Sequence, residues 1–252
     1  LPPRRPPRIR ARTRRRSGRC GRIAPGICIR LFDEEDFKAR PEFTDPEILR
    51  SSLASVILKM AALKLGPVDE FPFIQSPSYR FIQDGYHLLQ ELGAVDMENK
   101  ILPLGIQLSK LPIDPSLGRI LLESKKENCV QEALIIISAL SVSDPRERPI
   151  DKAEQADKAH QFFHDPDSGF NIFLKLWKQL SIETKKVTNK SLRQFTQKYF
   201  LSFNRIKEWH ELHRQLKQIA DELKFNISAT EATYEQTHRA LLSGLLGNIG
   251  FK

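Results

Sequence analysis

The stretch CVQEALIIISALSV, residues 129–142, decides the fold expected for this chain. Between Ala133 and Leu140 its apolar residues fall on nearly every side of a helix, which is the pattern of a helix surrounded by others. We therefore predict a helix over 129–143 at the centre of a bundle. The apolar run is about half the length that spans a bilayer, so no membrane partner is expected.

Helical periodicity continues on the C-terminal side almost to the end of the chain. Short loops containing Pro, Asp or Asn separate segments whose apolar residues recur at helical spacing, and each segment predicts a helix. The predicted limits of these helices, with the one that precedes the central helix, are 115–127, 150–163, 168–182, 189–201, 203–224 and 229–246. The predicted fold class is mainly α, with a helical bundle as its largest part.

A strong helix signal also lies on the N-terminal side, at residues 45–66. Asp45 can cap this helix, Pro46 suits its first turn and Gly66 suits its C-terminal stop. Its buried stripe is predicted to comprise Leu49, Leu53, Val56, Met60 and Leu63.

Two further elements follow before the bundle. A second helix is predicted over 77–92, and GAVDMENKILPLG (93–105) predicts two short strands about a polar turn at Glu98–Asn99. Helix, helix and then a small hairpin is the order of a winged-helix unit.

An apolar run near the start, GICIRLF (26–32), predicts a short strand entering the core of a sheet, and DEEDF after it predicts a polar turn. The rest of such a sheet is missing from the predicted elements. We therefore expect the strand to be an exposed edge.

The positive charge of the chain is confined to its beginning. The net charge is +9, and residues 1–22 contain ten Arg and no acidic residue, so the remaining 230 residues sum to −1. The folded part therefore does not indicate a polyanionic partner by its charge alone. Residues 1–15, rich in Arg and Pro, predict a disordered basic arm or a truncated or mis-framed segment, and both alternatives stay open.

The stretch SGRCGRIAPG (17–26) is the first candidate site. Arg19 and Arg22 each follow a glycine, Gly18 and Gly21, which would let the backbone approach a bound nucleotide closely. Arginine presents a planar fork that meets phosphate oxygens two at a time. The pattern is weak by itself, because basic tails contain it by chance, so a phosphate-sensing loop and an arginine-rich tail both remain open.

Other candidate groups favour structural roles. His160 and His164 lack the glutamate and third ligand of a zinc motif, so no metal site is expected. HELH (210–213) predicts a surface helix face, and Trp177 and Trp209 predict core packing. Three cysteines without metal spacing and the lack of a signal peptide favour a reduced, cytoplasmic setting.

The order of motifs resembles DEAH-box helicases. RRSGRCGRIAPGICIRLF (15–32) is similar to the end of that family's second RecA-like lobe, and FTDPEILRSSLASVILKMAALKLG (43–66) resembles its next element. LLQELGAVD, PLGIQLSKLPIDPSLGRILLES and CVQEALIIISALSVSDPRERP resemble its winged helix and helicase-associated helical domain. Residues 168–246 are similar to the bacterial HrpA-type RNA helicases.

This resemblance implies a domain plan and an activity. After the basic segment it places the edge of a RecA-like lobe at 16–44, a winged helix at 45–110, a ratchet-like bundle at 111–228 and a lead toward an OB-fold at 229–252. The implied activity is ATP-dependent unwinding of RNA. The implied partners are single-stranded or structured RNA and the RecA-like lobes of the same polypeptide.

The resemblance also assigns residues. Arg19 and Arg22 would reach the γ-phosphate of ATP, bound with Mg²⁺ in the parent enzyme, beside Gly18 and Gly21. The family's glutamine at the head of this motif would fall on Arg15, which is a departure. The sequence has no G-x-x-x-x-G-K-[ST] and no D-E-A-H motif, so we expect this chain alone to bind no ATP and to be inactive.

RNA contacts are predicted only weakly. Arg119 and the loop Ser143–Arg148, with Ser143 and Arg146 in particular, are the candidates, and solvated surface groups and a helix-ending turn are the alternative. A second function also stays open, namely a non-catalytic helical binding or scaffold module that binds nucleic acid through its basic arm.

Overall fold

The computed structural model describes residues 17, 18, 20, 24–42, 53–184, 188–228 and 230–248. Within these residues the fold is helical, with eleven α-helices, two short 3₁₀ turns and two isolated antiparallel bridges, which confirms the mainly α class. The helices are α1 Glu34–Ala39, α2 Ala54–Leu63, α3 Tyr79–Glu91, α4 Pro103–Ser109, α5 Pro115–Lys126, α6 Val130–Leu140, α7 Ala153–Gln161, α8 Asn171–Glu183, α9 Asn189–Lys198, α10 Phe203–Glu222 and α11 Tyr234–Leu242.

Residues 26–32 do not form the predicted strand. They have no ladder partners among the described residues, the chain bends at residues 31–32, and their side chains are largely exposed. The polar turn predicted after them is wrong, because DEEDF begins α1. Asp33 caps this helix by accepting a hydrogen bond from the backbone N–H of Asp36, and the acidic first turn suits the positive end of the helix dipole.

Helix α2 differs from its prediction in its buried face and its end. Leu53, Ile57 and Met60 lie at the centre of the buried face, whereas Leu63 is 69% exposed. Val56 and Leu63 project from the edge of that face, so the predicted stripe was wrong at Leu63. The helix stops at Lys64, which takes the left-handed conformation, rather than at Gly66. Asp45, Pro46 and Leu49 lie outside the described residues.

The predicted hairpin is reduced to one bridge. Val95 pairs with Ile101 across a turn in which Asn99 has φ 64° and Asp96 accepts hydrogen bonds from the N–H groups of Glu98 and Lys100. The second predicted strand is wrong beyond Leu102, because residues from Pro103 form α4. A Cβ at Gly105 would lie 2.2 Å from the carbonyl oxygen of Ala94, so this helix packs directly on the backbone before the turn.

Helix α6 is the centre of the bundle, as predicted. Its residues from Ala133 to Ala139 are all buried, and α5, α8, α10 and α11 pack around it. One core cluster joins α6 to α2, α3 and α5, and a second joins it to α8, α9 and α10. The last helix starts later than predicted, at Tyr234 instead of 229, because Thr233 and Gln236 form a capping box there.

Candidate nucleic-acid interface

The predicted phosphate-sensing loop is described only in part. Arg19, Gly21 and Arg22 lie outside the described residues, so their roles stay predictions. Gly18 is exposed. Further along the same passage the backbone of Cys20 lies against Gly26, where a Cβ would stand 2.1 Å from the carbonyl oxygen of Cys20.

Arg119 is engaged in an ion pair on α5. Its Nη1 lies 2.6 Å from Oε2 of Glu123, and both side chains are only 18% exposed. Lys126 donates to the same carboxylate oxygen. Burial of Glu123 opposes its ionisation, but hydrogen bonds from Arg119 and Lys126 outweigh that effect and lower its pKa. A phosphate contact by Arg119 would therefore compete with this pair.

The loop Ser143–Arg148 is fixed to the turn between α9 and α10. Arg146 forms an antiparallel bridge with Leu201, the N–H of Glu147 donates to the carbonyl of Phe200 at 2.9 Å, and the N–H of Ser202 donates to the carbonyl of Pro145 at 2.7 Å. Phe200 has φ 52°, the left-handed conformation that turns the chain at this point. Backbone pairing thus holds the loop in one place, with Ser143 and Arg146 exposed.

Both arginines of this loop are paired with carboxylates. The guanidinium of Arg146 forms an ion pair with Asp144, with Nη2 2.6 Å from Oδ2. The guanidinium of Arg148 donates two hydrogen bonds of 2.8 Å to the carboxylate of Asp157. Burial of Asp144 opposes ionisation, yet the hydrogen bonds from Arg146 prevail and lower its pKa. The hydrogen bond from Arg148 likewise lowers the pKa of Asp157. Arg146, although exposed, already has an anionic partner.

A cavity of about 520 Å³ lies beside the loop. Its wall on one side is Glu147 and Pro149, and the other walls come from α9, from the turn and from the start of α10. The lining residues on that side are Arg193, Thr196, Gln197, Phe200, Leu201, Ser202, Phe203 and Asn204. The predicted loop therefore forms one side of a concave surface whose other sides come from α9, the turn and α10.

Arg193 at this cavity differs from the arginines of the loop. Its guanidinium carbon lies 5.0 Å from the centre of the Phe203 ring, a cation–π arrangement, and within the described residues it makes no ion pair. Sequence reasoning missed it because Arg193 and Phe203 lie on two helices. The available signal was that α9 and α10 are joined by a very short turn, which brings their facing ends together.

Of the candidate histidines, His164 is exposed, and His160, His210 and His213 are partly buried. His160 places Nε2 3.1 Å from the carbonyl oxygen of Phe200, and the described part of the chain holds no group of three or more His, Cys, Asp or Glu placed for a metal ion. The surface face predicted for HELH is wrong, since His210 stacks on Trp177, His213 contacts the same ring at a tilt, and both histidines are partly buried. Burial, with His210 and Lys217 nearby, lowers the pKa of His213 to about 4.

The tryptophans form part of the second core cluster, as predicted. Trp209 is fully buried, and its indole N–H donates to the carbonyl of Ile135 at 3.1 Å and to Oγ of Ser138 at 3.0 Å.

In the described part of the chain no helix is both long and apolar enough to cross a bilayer.

Comparison with known families and proteins places this surface. Residues 86–113 match the winged-helix part of the helicase associated domain (HA2), and residues 114–210 match its ratchet-like part. The chain is 49% identical to the ATP-dependent RNA helicase HrpA of Escherichia coli and 47% identical to its Haemophilus influenzae homologue, over 98% of this chain in each case. Along nearly its whole length the chain is therefore similar to one part of the HrpA-type ATP-dependent RNA helicases. A pre-mRNA-splicing factor ATP-dependent RNA helicase of Arabidopsis thaliana is 29% identical over 88% of this chain.

The match covers a limited part of these helicases. The chain spans about a fifth of the length of the two bacterial relatives, 19% of each, and 32% of the Arabidopsis protein. Arg119, the loop Ser143–Arg148 and the cavity all fall inside the ratchet-like match at 114–210. The candidate interface is therefore a feature of the helicase-associated region.

Proposed function

We propose that this chain is the helicase-associated part of an ATP-dependent RNA helicase and that it contacts single-stranded RNA beside the loop Ser143–Arg148. The observation that carries the proposal is Arg193, a cation without an ionic partner among the described residues, held over the Phe203 ring at the mouth of a cavity. A cationic fork beside an aromatic face suits both parts of a nucleotide, because the phosphate attracts arginine and the base stacks on flat groups.

The arginines of the loop have a secondary role in this proposal. Arg146 and Arg119 can meet phosphate only by exchanging a carboxylate partner, Asp144 or Glu123, so each adds little net attraction. Ser143 is exposed at the head of the loop and can donate one neutral hydrogen bond. Arg193 should therefore be the strongest single contact of the set.

RNA binding by the full 252-residue chain tests the proposal. Fluorescence anisotropy with a labelled single-stranded RNA should give an affinity that falls about fivefold for Arg193→Gln, with the salt slope reduced by about 0.7. Arg239→Gln is the matched control, since Arg239 is an exposed arginine on α11 that pairs with Glu127 outside this surface. Equal affinities of wild type and Arg193→Gln would contradict the proposal.

The second candidate function rests on the ten arginines of residues 1–22. A helical module that binds nucleic acid only through a basic arm would lose RNA binding when residues 1–22 are deleted. In our proposal the deleted chain still binds RNA, more weakly, and remains sensitive to Arg193→Gln. Loss of all binding on deletion would favour the arm and would remove the role of the cavity.

For the parent polypeptide we propose ATP with Mg²⁺ as cofactor, with Arg19 and Arg22 reaching the γ-phosphate beside Gly18 and Gly21. RecA-like lobes of that polypeptide would supply the phosphate-binding and metal-binding groups, and this chain alone would turn over no ATP. Replacing both arginines by alanine in the parent polypeptide should reduce ATP turnover by about 10³-fold or more, as found for other arginine fingers. Unchanged turnover would refute this assignment.

A further inference from the structure

Three cavities on the described surface differ in whether their charged side chains are already paired. In the one of about 470 Å³, Arg146 and Asp157 are held in ion pairs and His160 contacts the carbonyl of Phe200. In the one of about 480 Å³, between α6, α8 and α11, Lys175 pairs with Asp165 and Lys178 with Glu231. Both cavities are lined by charges that are used within the fold.

The cavity of about 520 Å³ is different. Six polar side chains line it. Thr196 donates a hydrogen bond to the carbonyl oxygen of Arg193 and Ser202 is the N-cap of α10, while the other four have no side-chain hydrogen bond or ion pair within the described residues. They are the carboxylate of Glu147, the guanidinium of Arg193 and the amides of Gln197 and Asn204. Polar groups that converge on a cavity and have no partner in the fold are the usual means by which a binding site fixes a ligand's orientation.

The cavity also has a flat apolar wall and a rigid frame. Phe203 is half-buried and carries Arg193 over its face, and Phe200 lines the site beside it. The backbone pairing of Glu147 with Phe200 and of Ser202 with Pro145 fixes one wall relative to the other. Single-stranded RNA is recognised in this manner, by stacking of an unpaired base on an aromatic or guanidinium plane and hydrogen bonding of its edge.

Beside Glu147 the charge balance favours a base over a phosphate, which leaves the phosphate contact to Arg193. Glu147 offsets Arg193, so the four polar groups together carry no net charge, and a carboxylate repels phosphate oxygens. An ionised carboxylate only accepts hydrogen bonds, so its partner must present N–H donors. Guanine is the one standard base of RNA whose Watson–Crick edge carries two adjacent donors, N1–H and the N2 amino group, which match the two oxygens of a carboxylate.

We propose that this cavity binds a guanine base of single-stranded RNA, with Glu147 accepting hydrogen bonds from N1–H and the N2 amino group. Gln197 and Asn204 supply amide donors for the O6 and N7 acceptors of the same base. Phe203 and Arg193 supply the stacking surface. The proposal rests on the RNA-contacting function above, and it adds a base preference to a surface that backbone contacts alone would leave indifferent to sequence.

The test uses the full 252-residue chain and four labelled oligouridylates of about ten nucleotides, a length within the range bound by one single-strand site. They differ only at the central position, which is guanosine, inosine, adenosine or uridine. Because the basic arm binds all four equally, the ratio of their affinities reports the cavity. We expect guanosine to bind about tenfold tighter than adenosine or uridine, and inosine, which lacks the N2 amino group, to lie between them.

Two variants test whether Glu147 causes the preference for guanosine. Glu147→Gln should bring all four affinities within about twofold of one another, since an amide no longer accepts two hydrogen bonds in parallel. Glu208→Gln, which removes an exposed carboxylate on α10 outside the cavity lining, should keep the preference for guanosine. Glu147 is exposed, so its variant should fold, and circular dichroism checks this.

Each contrary outcome is informative. RNA bound with equal affinity for all four oligonucleotides overturns the guanine site and leaves the RNA-contacting function intact. A preference that survives Glu147→Gln, or equal binding of inosine and guanosine, overturns the role given to the carboxylate. Binding of none of the four oligonucleotides overturns both the guanine site and the function on which it rests.

Discussion

Residues 26–32 and residues 130–140 are both rich in isoleucine, yet they lie in opposite environments. Ile27 and Ile29 are 90% and 81% exposed, whereas Ile136 and Ile137 are fully buried. The difference lies in the backbone. A helix closes its own hydrogen bonds and needs neighbours only for its side chains, while an extended segment needs neighbouring strands for its N–H and C=O groups as well.

This contrast indicates where the stability of the described fold resides. The partners of α6 are other helices of the same chain, α5, α8, α10 and α11, so its apolar residues form a closed core. The apolar residues of 26–32 contact no such core within the described residues.

The largest expected effect comes from replacing one buried and one exposed isoleucine, Ile136 and Ile29, by alanine. Ile136→Ala should lower the free energy of unfolding by about 2–5 kcal/mol, because it leaves a cavity in the centre of the bundle. Ile29→Ala should change it by less than about 0.5 kcal/mol, because the side chain is already in water. Urea denaturation followed by far-UV circular dichroism measures both.

Equal effects of the two substitutions would contradict the contrast. A large loss for Ile29→Ala would mean that residues 26–32 are packed, and a small loss for Ile136→Ala would mean that the bundle relaxes around α6. Ile57→Ala is a useful third variant, since Ile57 is buried in the first core cluster on α2. It should resemble Ile136→Ala if one cooperative core joins α2 to α6.

Sequence patterns predicted the bundle better than the segments before it. The helix around 129–143 was recognised because a run of apolar residues with no polar side leaves no other arrangement. Helix α4 was missed, because its first residues, 103–105, were included in the predicted second strand and residues 106–109 were assigned to no element. Only the packing of Gly105 on the carbonyl of Ala94 explains why a glycine stands inside this helix, and no local pattern carries that information.

The candidate interface was predicted in its loop and missed in its cavity. Ser143 and Arg146 stand out in sequence because the loop interrupts two helices. The sequence does not reveal that Asp144 neutralises Arg146, or that Arg193 faces Phe203, because both depend on side-chain geometry. Paired and unpaired arginines look alike in sequence, and the structure distinguishes them.

A smaller effect tests whether buried hydrogen bonds, as well as apolar packing, contribute to the stability of the helical core. Trp209→Phe should lower the free energy of unfolding by about 1–3 kcal/mol, because the indole N–H that donates to Ile135 and Ser138 is lost in the interior. Trp177→Phe is the control, since Trp177 is only partly buried, and it should cost less. If Trp209→Phe leaves the free energy of unfolding unchanged, then apolar packing, and not the indole hydrogen bonds, stabilises the contact of α10 with α6.

The smallest expected effect is a dependence of stability on pH that starts from the same interface. His213 lies one turn beyond Trp209 on α10, and burial lowers its pKa to about 4 from an ordinary value near 6.5. The unfolded chain therefore binds more protons than the folded chain between these values, so stability falls as the pH drops through 6.5 toward 4.

Between about pH 7.5 and about pH 5.5 the loss should be about 1 kcal/mol, and His213→Phe should reduce it while keeping a ring against Trp177. Carboxylates whose pKa is lowered in the fold, such as Asp144 and Glu183, stay ionised in both states over most of this range and add little to the slope. His210, whose pKa burial also lowers, should account for the remaining slope in the variant. If the dependence of the free energy of unfolding on pH is unchanged in His213→Phe, then His213 is solvated. This part of α10 would then be exposed, like residues 26–32, instead of buried.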